Sequence, residues 1–337
     1  MSSAGIGEIL AGNLPDATLE KCAEVGVQNA RLNLPHCSRS IMDLKEEFEF
    51  QTSAILIAAG PSLHRNNSAQ KILRSGYSGL LIVAESALSY CVRNGLTPDF
   101  VVTLDPHPKR IIRFLGDPNL TIEDLETDDY FRRQDLDPQF GVNELKRNSD
   151  LVKLVDQYAP QTKVAISSSA SSAVANRCIQ SGMQTFWWNP LYDDYDDSSS
   201  VTREVFNING LPCINTGGNV GTASWVIAHS ILDLPEIALV GMDFSYYADT
   251  QHSQTQYYYE LIELVGKEKL AEVFIAIENP YLKKTFYTDP TYFWYRESFL
   301  EMAQDAPCHT YNCTEGGILF GPGVDHVPLD DFLTKHS

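Results

Sequence analysis

Short, nearly unbroken apolar runs recur along the chain, each closed by glycine, proline or a cluster of hydroxyl residues. Residues 54–60 (AILIAAG), 80–84, 99–104 (DFVVTL), 163–166, 184–188, 211–215 and 236–241 (EIALVG) have this character. Such runs read as strands covered on both faces, as in a parallel sheet. Between the last two, Val220, Ala223, Ile227, Ile231 and Leu234 recur at steps of three or four and share one helical face, and Pro235 ends the helix. Strand and helix patterns in alternation predict an α/β fold with a doubly wound sheet.

The remaining segments are predicted around this frame. Residues 1–50 read as a peripheral helical lead-in, with an amphipathic stretch after Pro15-Asp16 and the charged run LKEEFEF. Residues 110–160 are polar, include the acidic run EDLETDD, and read as an insertion of short helices that could act as a lid. Ser86 is the expected cap of a helix through Arg93, which Gly95 ends. Residues 257–277 read as helical, and Asp289-Pro290 opens a helix to about Met302 whose stripe of Tyr292, Phe293, Tyr295 and Phe299 reads as core. A last strand over 308–312 and a helix over 328–335 complete the chain. The expected organisation is a lead-in (1–50), a nucleotide-binding domain (51–320) and a C-terminal helical segment (321–337).

Composition narrows the function. The 337 residues carry a net charge of -19, so nucleic acid or an anionic membrane would be repelled over most of the surface. An anionic ligand must then be held by local devices. The seven cysteines are odd in number and form no C-x-x-C pair, which argues against a disulfide framework and a zinc site. No segment has the length of a membrane span, and the N-terminus lacks a basic region followed by an apolar core, so a cytoplasmic setting is expected.

Candidate chemistry lies where the predicted strands end. The turn Thr216-Gly217-Gly218-Asn219 leads into a helix through Gly221-Thr222; no Lys follows, so it is not a Walker A loop. Gly218 and Gly221 match the later glycines of a dinucleotide fingerprint, Thr216 stands at the first, and Asp243 lies at about the distance of the ribose-binding acid. A tight turn without ligand is the alternative. Gly60-Pro61-Ser62 makes a second possible phosphate turn. Asp105-Pro106-His107-Pro108 closes the run 99–104, either as catalytic side chains at a sheet edge or as a turn in which Asp105 bonds its own backbone. SSSASS (167–172) can hold a phosphate or sugar, or cap a helix. The aspartates of DDYDDSSS (193–200) have no spacing of a cation cage. His252, within ten residues of Asp243, can serve as a general base near neutral pH.

Taken together, GPSL after an apolar strand, PDFVVTLDPHP, NTGGNVG, VGMDFSYY with a following His, and NCTEGG resemble the MptE-like domain shared by flagellin-modifying motility accessory factors and archaeal hydroxymethylpterin diphosphokinases. That domain is similar in fold to bacterial sialyltransferases. The resemblance covers about residues 50–320 and rests on the order and spacing of the motifs. It implies a Rossmann-like, mostly parallel sheet with helices on both faces and peripheral helical segments. It also implies two nucleotide-contacting turns, Gly60-Pro61-Ser62 and Thr216-Gly217-Gly218-Asn219, with Asp105 and Asp243 as the conspicuous acids.

Two reactions follow from the resemblance. In one, a CMP-linked nonulosonic acid is transferred to a sugar or protein hydroxyl, with His252 as base, Tyr246 and Tyr247 stabilising the departing phosphate, and no metal required. In the other, ATP gives a pyrophosphoryl group to a hydroxymethyl pterin, with Mg²⁺ on carboxylates such as Asp105. The pterin enzymes carry a second aspartate close before the first, whereas Val102-Thr103-Leu104 precede Asp105 here, so the sequence leans to the glycosyltransferase. A nucleotide-binding protein without catalysis is a further alternative. The sequence leaves a homo-oligomer open.

Overall fold

Among the described residues twelve strands run in chain order: β1 (Ser53–Ile57), β2 (Leu80–Ala84), β3 (Phe100–Thr103), β4 (Lys163–Ser167), β5 (Gln184–Pro190), β6 (Cys213–Ile214), β7 (Glu236–Val240), β8 (Tyr246–Tyr247), β9 (Ile275–Asn279), β10 (Lys284–Thr288), β11 (His309–Asn312) and β12 (Asp325–His326). They come from a computed structural model that describes residues 5–107, 109, 111–127 and 140–336. The chain divides into two units, residues 1–24, 45–82 and 214–337 in the first and 25–44 and 83–213 in the second.

In the first unit the sheet order is β12-β11-β7-β1-β2, with β1 parallel to β7 and β11 parallel to both β7 and β12. All five residues of β1 and four of the five in β7 are buried, which is why both segments are apolar at every position after the first, Ser53 and Glu236. The helices Val220–Val226 and Leu329–His336 pack against β1 and β7 respectively. A separate antiparallel sheet, β8-β10-β9, follows β7 in the chain. The N-terminal helix Ile6–Gly12 is packed here through Gly7, where a β-carbon would meet the Val273 carbonyl oxygen at 2.2 Å.

In the second unit β3, β4 and β5 are parallel. The helices Ser172–Ser181 and Val201–Asn209 pack against β5. Asn33 donates to the carbonyls of Ser168 and Ala170, at 2.8 and 2.7 Å, so a helix of the lead-in region covers the turn after β4. The architecture is α/β and Rossmann-like, mostly parallel and flanked by helices, as the strand pattern and the resemblance imply.

Three local expectations change. Residues 257–277 are not one helix: Tyr258–Val265 and Leu270–Val273 are helical, and β9 then begins at Ile275. Its exposure alternates along IAIEN, a period-2 signal that the neighbouring helical residues obscure. The polar insertion contains the helix Ile122–Thr127 and a 19-residue helix, Phe140–Tyr158; the end of its acidic run, Asp128-Asp129, lies outside the described residues, as does Pro108. The helix expected to be capped by Ser86 starts at Glu85, with Ala84 at the cap. The seven cysteines form no disulfide with one another, and no helix among the described residues is long and apolar enough to cross a membrane.

Candidate functional site

The sheet order of the first unit locates a crevice. The chain leaves β1 for β2 on one side and returns to the other side as β7, so β1 and β7 flank the point where the winding reverses, at whose C-terminal edge α/β proteins bind ligands. The two strands end level, Ile57 opposite Val240.

One carboxyl organises that edge. Ser62 gives Asp243 two hydrogen bonds, from its amide to Oδ1 at 3.2 Å and from its hydroxyl to Oδ2 at 2.6 Å. Glycines make the approach possible. A β-carbon on Gly60 would lie 2.0 Å from Asp243 Oδ2, and one on Gly317, at φ +72°, would lie 2.2 Å from the Asp243 carbonyl oxygen. Gly316 sits between Ser62 and the Tyr247 hydroxyl. Asp243 is 1% exposed, and burial raises its pKa to about 7 against the opposing bonds from Ser62. Phe244, next in the chain, has φ +48°, a conformation that a bulky side chain seldom adopts outside a functional or strained turn. Gly60 and Ser62 thus serve Asp243 directly, and Pro61, at φ -63°, sets the start of the one-turn helix Ser62–Arg65.

Beside this pair is a cavity of 380 Å³. Tyr247 and Phe286 form an aromatic wall, ring edge to face at 5.0 Å, and Leu282 adds an apolar surface. The Arg65 guanidinium lies 4.0 Å above the Tyr247 ring and is held by both carboxylate oxygens of Asp249 at 2.8 and 3.0 Å. Asn66 donates to the Thr314 and Glu315 carbonyls, and Glu315 pairs with Lys71 at 2.7 Å. Lys284 completes the lining. Burial and the nearby Asp243 push the Tyr247 phenol up to about 12, so it is a hydrogen-bond donor at neutral pH.

Tyr246 points elsewhere, as successive residues of a strand must. Its hydroxyl donates to Asp289 at 2.7 Å and accepts from the Gln256 amide at 3.0 Å; burial raises the phenol far above its usual range. Asp289 also caps the helix Pro290–Gln304 through the Tyr292 amide, and its burial raises it to about 6. His252 is stacked on Phe274 at 4.1 Å and meets the edge of Tyr287 at 5.2 Å, and Tyr287 in turn lies against Tyr246 at 5.5 Å. The histidine therefore ends an aromatic row on the Tyr246 side and does not line the cavity.

The second glycine turn belongs to the same unit. A β-carbon on Gly218, at φ +81°, would lie 2.6 Å from the Trp294 ring, and Gly221 lies against Met242, whose thioether is 3.5–3.6 Å from such a position. This brings the turn to the end of β7, one residue from Asp243. Its own side chains occupy its amides: Asn215 accepts from Gly217 at 3.1 Å, Thr216 from Gly218 at 3.3 Å, and Asn219 caps the following helix through Thr222 at 2.9 Å.

Asp105 lies in the second unit. It is exposed, and its Oδ1 accepts from the His107 amide at 2.7 Å, an Asx turn. Ser171 caps the helix Ser172–Ser181, and Asp193 accepts from the amides of Val201 and Thr202, so both polar runs close helix starts. Among the described residues no three His, Cys, Asp or Glu side chains assemble as a metal site. The sequence singles out neither Arg65 and Lys284 nor the roles of Gly316 and Gly317, and it gives Asp289 as a helix cap but not as the acceptor of the Tyr246 hydroxyl. Arg65, three residues past Ser62 on a one-turn helix, carried the one available signal.

A family model described as "6-hydroxymethylpterin diphosphokinase MptE-like" matches residues 28–121. Among solved structures, the MAf glycosyltransferase from Magnetospirillum magneticum AMB-1 is similar with a TM-score of 0.50 at 12% identity, over 85% of this chain and 36% of that one. This chain therefore spans about a third of that protein's length. No curated protein matches the sequence. The family resembled by the sequence motifs is the one the family model returns, over residues 28–121, in a chain whose fold is similar to that of part of a MAf glycosyltransferase.

Proposed function

We propose that the chain is a glycosyltransferase that takes a sugar from a nucleotide donor, a CMP-linked nonulosonic acid, and gives it to a hydroxyl of a sugar or protein acceptor. The observation that carries this reading is the Ser62–Asp243 pair at the winding reversal, beside a cavity that joins an aromatic wall to two cations. Gly60, Pro61, Ser62 and Asp243 shape the nucleotide end, and Thr216, Gly217, Gly218 and Asn219 border it. In the transfer, the acceptor oxygen bonds to the anomeric carbon while the bond from that carbon to the phosphate oxygen breaks and CMP departs. His252 lies outside the cavity lining, at the end of the aromatic row, and is the base for an acceptor that approaches from the Tyr246 side. The Tyr247 hydroxyl and Arg65 stabilise the charge that grows on the leaving phosphate, and Tyr246 holds the aromatic row. No metal is needed for these steps.

The family match over residues 28–121 favours a second reading, a diphosphokinase that uses ATP and Mg²⁺ with Asp105 as a ligand. A nucleotide thermal-shift panel separates the two. CMP and CDP should raise the melting temperature without Mg²⁺, and His252→Ala should abolish transfer while CMP still binds. Stabilisation by ATP with Mg²⁺ and none by CMP would establish the kinase reading instead.

A further inference from the structure

Lys284 has a setting unlike that of the other charged groups in the cavity. Arg65 is committed to Asp249 and Glu315 to Lys71, whereas Lys284 meets no carboxylate within ion-pair distance among the described residues. In a chain of net charge -19, an uncompensated cation at a cavity wall is a local attraction for anions.

The lysine is also positioned. It opens β10 directly after a tight turn in which Lys283 has φ +52°. Asn279, fully buried, holds that turn: its Oδ1 accepts from the amides of Tyr281 and Leu282, both at 3.0 Å, and its carbonyl accepts from Lys283 at 2.8 Å. Its Nδ2 donates to the Gly317 carbonyl at 2.9 Å, in the loop that closes over Asp243. One side chain thus fixes the hairpin that carries Lys284 to the loop of the Ser62–Asp243 pair. Phe286, two residues on in β10, and its cross-strand partner Tyr247 offer ring surface in the same cavity, and 380 Å³ is a small-ligand volume.

We propose that Lys284 is a specificity-determining residue that takes an oxyanion of a ring-bearing ligand in this cavity. The inference rests on the donor reading above, where that oxyanion is either the carboxylate of the nonulosonic acid or the phosphate of CMP. Titration calorimetry of the full chain with free N-acetylneuraminate and, separately, CMP distinguishes these sources. Lys284→Gln should weaken one of the two by about tenfold or more, Lys284→Glu should abolish it, and Lys284→Arg should retain it. Melting temperatures should be unchanged, because the side chain is exposed. Dependence of the sugar acid assigns the carboxylate, and dependence of CMP assigns the phosphate.

Equal affinities in wild type, Lys284→Gln and Lys284→Glu would overturn the inference and leave the donor reading intact. Lys284-dependent uptake of the sugar acid by a chain that ignores CMP would uphold the inference and sink the CMP donor. Failure of the wild type to bind either at millimolar concentration would overturn the inference outright.

Discussion

The Ser62 hydroxyl donates to Asp243 at 2.6 Å across 181 residues of sequence, joining the turn after β1 to the end of β7. Because both strands end level, one short hydrogen bond ties the two sides of the winding reversal together. A buried carboxyl needs such a partner, and glycine at 60 gives it room.

Gly60→Ala drives a methyl into the Asp243 carboxyl, 2.0 Å away, and into the Gly241 carbonyl, 2.4 Å away. Neither can move without breaking the bonds at the strand ends, so a loss of about 3 kcal/mol or more is expected in chemical denaturation. Gly95→Ala meets open space but has φ +81°, so its smaller loss calibrates backbone strain without collision.

Stability should carry a pH signature from Asp243. Its folded pKa, about 7, stands above the ordinary 3.8, so the folded state binds the proton more tightly. Its contribution is complete below about pH 4 and is lost as pH rises through 7. Asp289, raised to about 6, acts in the same direction, while His229, lowered to about 4 by burial, acts in the opposite one. Subtracting the melting curves of Asp243→Asn from wild type removes the shared groups. The wild type should lose stability relative to the variant between pH 5 and 8, and a difference independent of pH would refute the assignment.

Adjacent tyrosines should respond differently. Tyr246→Phe strips buried Asp289 of a 2.7 Å donor and the Gln256 amide of its acceptor, so a loss of about 1–3 kcal/mol is expected. Tyr247→Phe leaves the half-buried ring under Arg65 and should change the melting temperature little. In the transfer assay the order reverses: Tyr247→Phe lowers kcat, while Tyr246→Phe acts only through the amount of folded protein.

Glu85 provides an independent test in the second unit. It is 3% exposed, its Oε2 has no hydrogen-bond partner among the described residues, and burial with a contribution from Asp105 raises its pKa to about 8. A raised folded pKa means stability lost as pH climbs from 4.5 towards 8. Glu85→Gln removes that titration, so the variant should gain stability over wild type at pH 9 relative to pH 6. Equal differences at the two pH values would contradict the burial of the charge.

Much of the frame was legible because burial on both faces writes itself into a strand. The segments 54–57 and 236–240 admit no polar residue except at the edge, and both are found where the pattern predicts them. Asp289 was readable as a cap because capping is local. The β9 strand was not, since Ile275, Ile277 and Asn279 face one way only when paired with β10. The glycine turns were visible as turns, but their reasons were not: Gly218 answers to Trp294, 76 positions on, and Gly317 to Asp243.

By itself, the order of apolar runs and glycine turns determined an α/β chain with its polar residues gathered at strand ends, because strand burial and turn conformation depend on near neighbours. Tertiary structure alone decided that Asp243 bonds Ser62, that Tyr246 and Tyr247 face different partners, and that Arg65 and Lys284 share a cavity. Those choices depend on which distant backbones pass within hydrogen-bonding reach of one another, and spacing along the chain does not encode that distance.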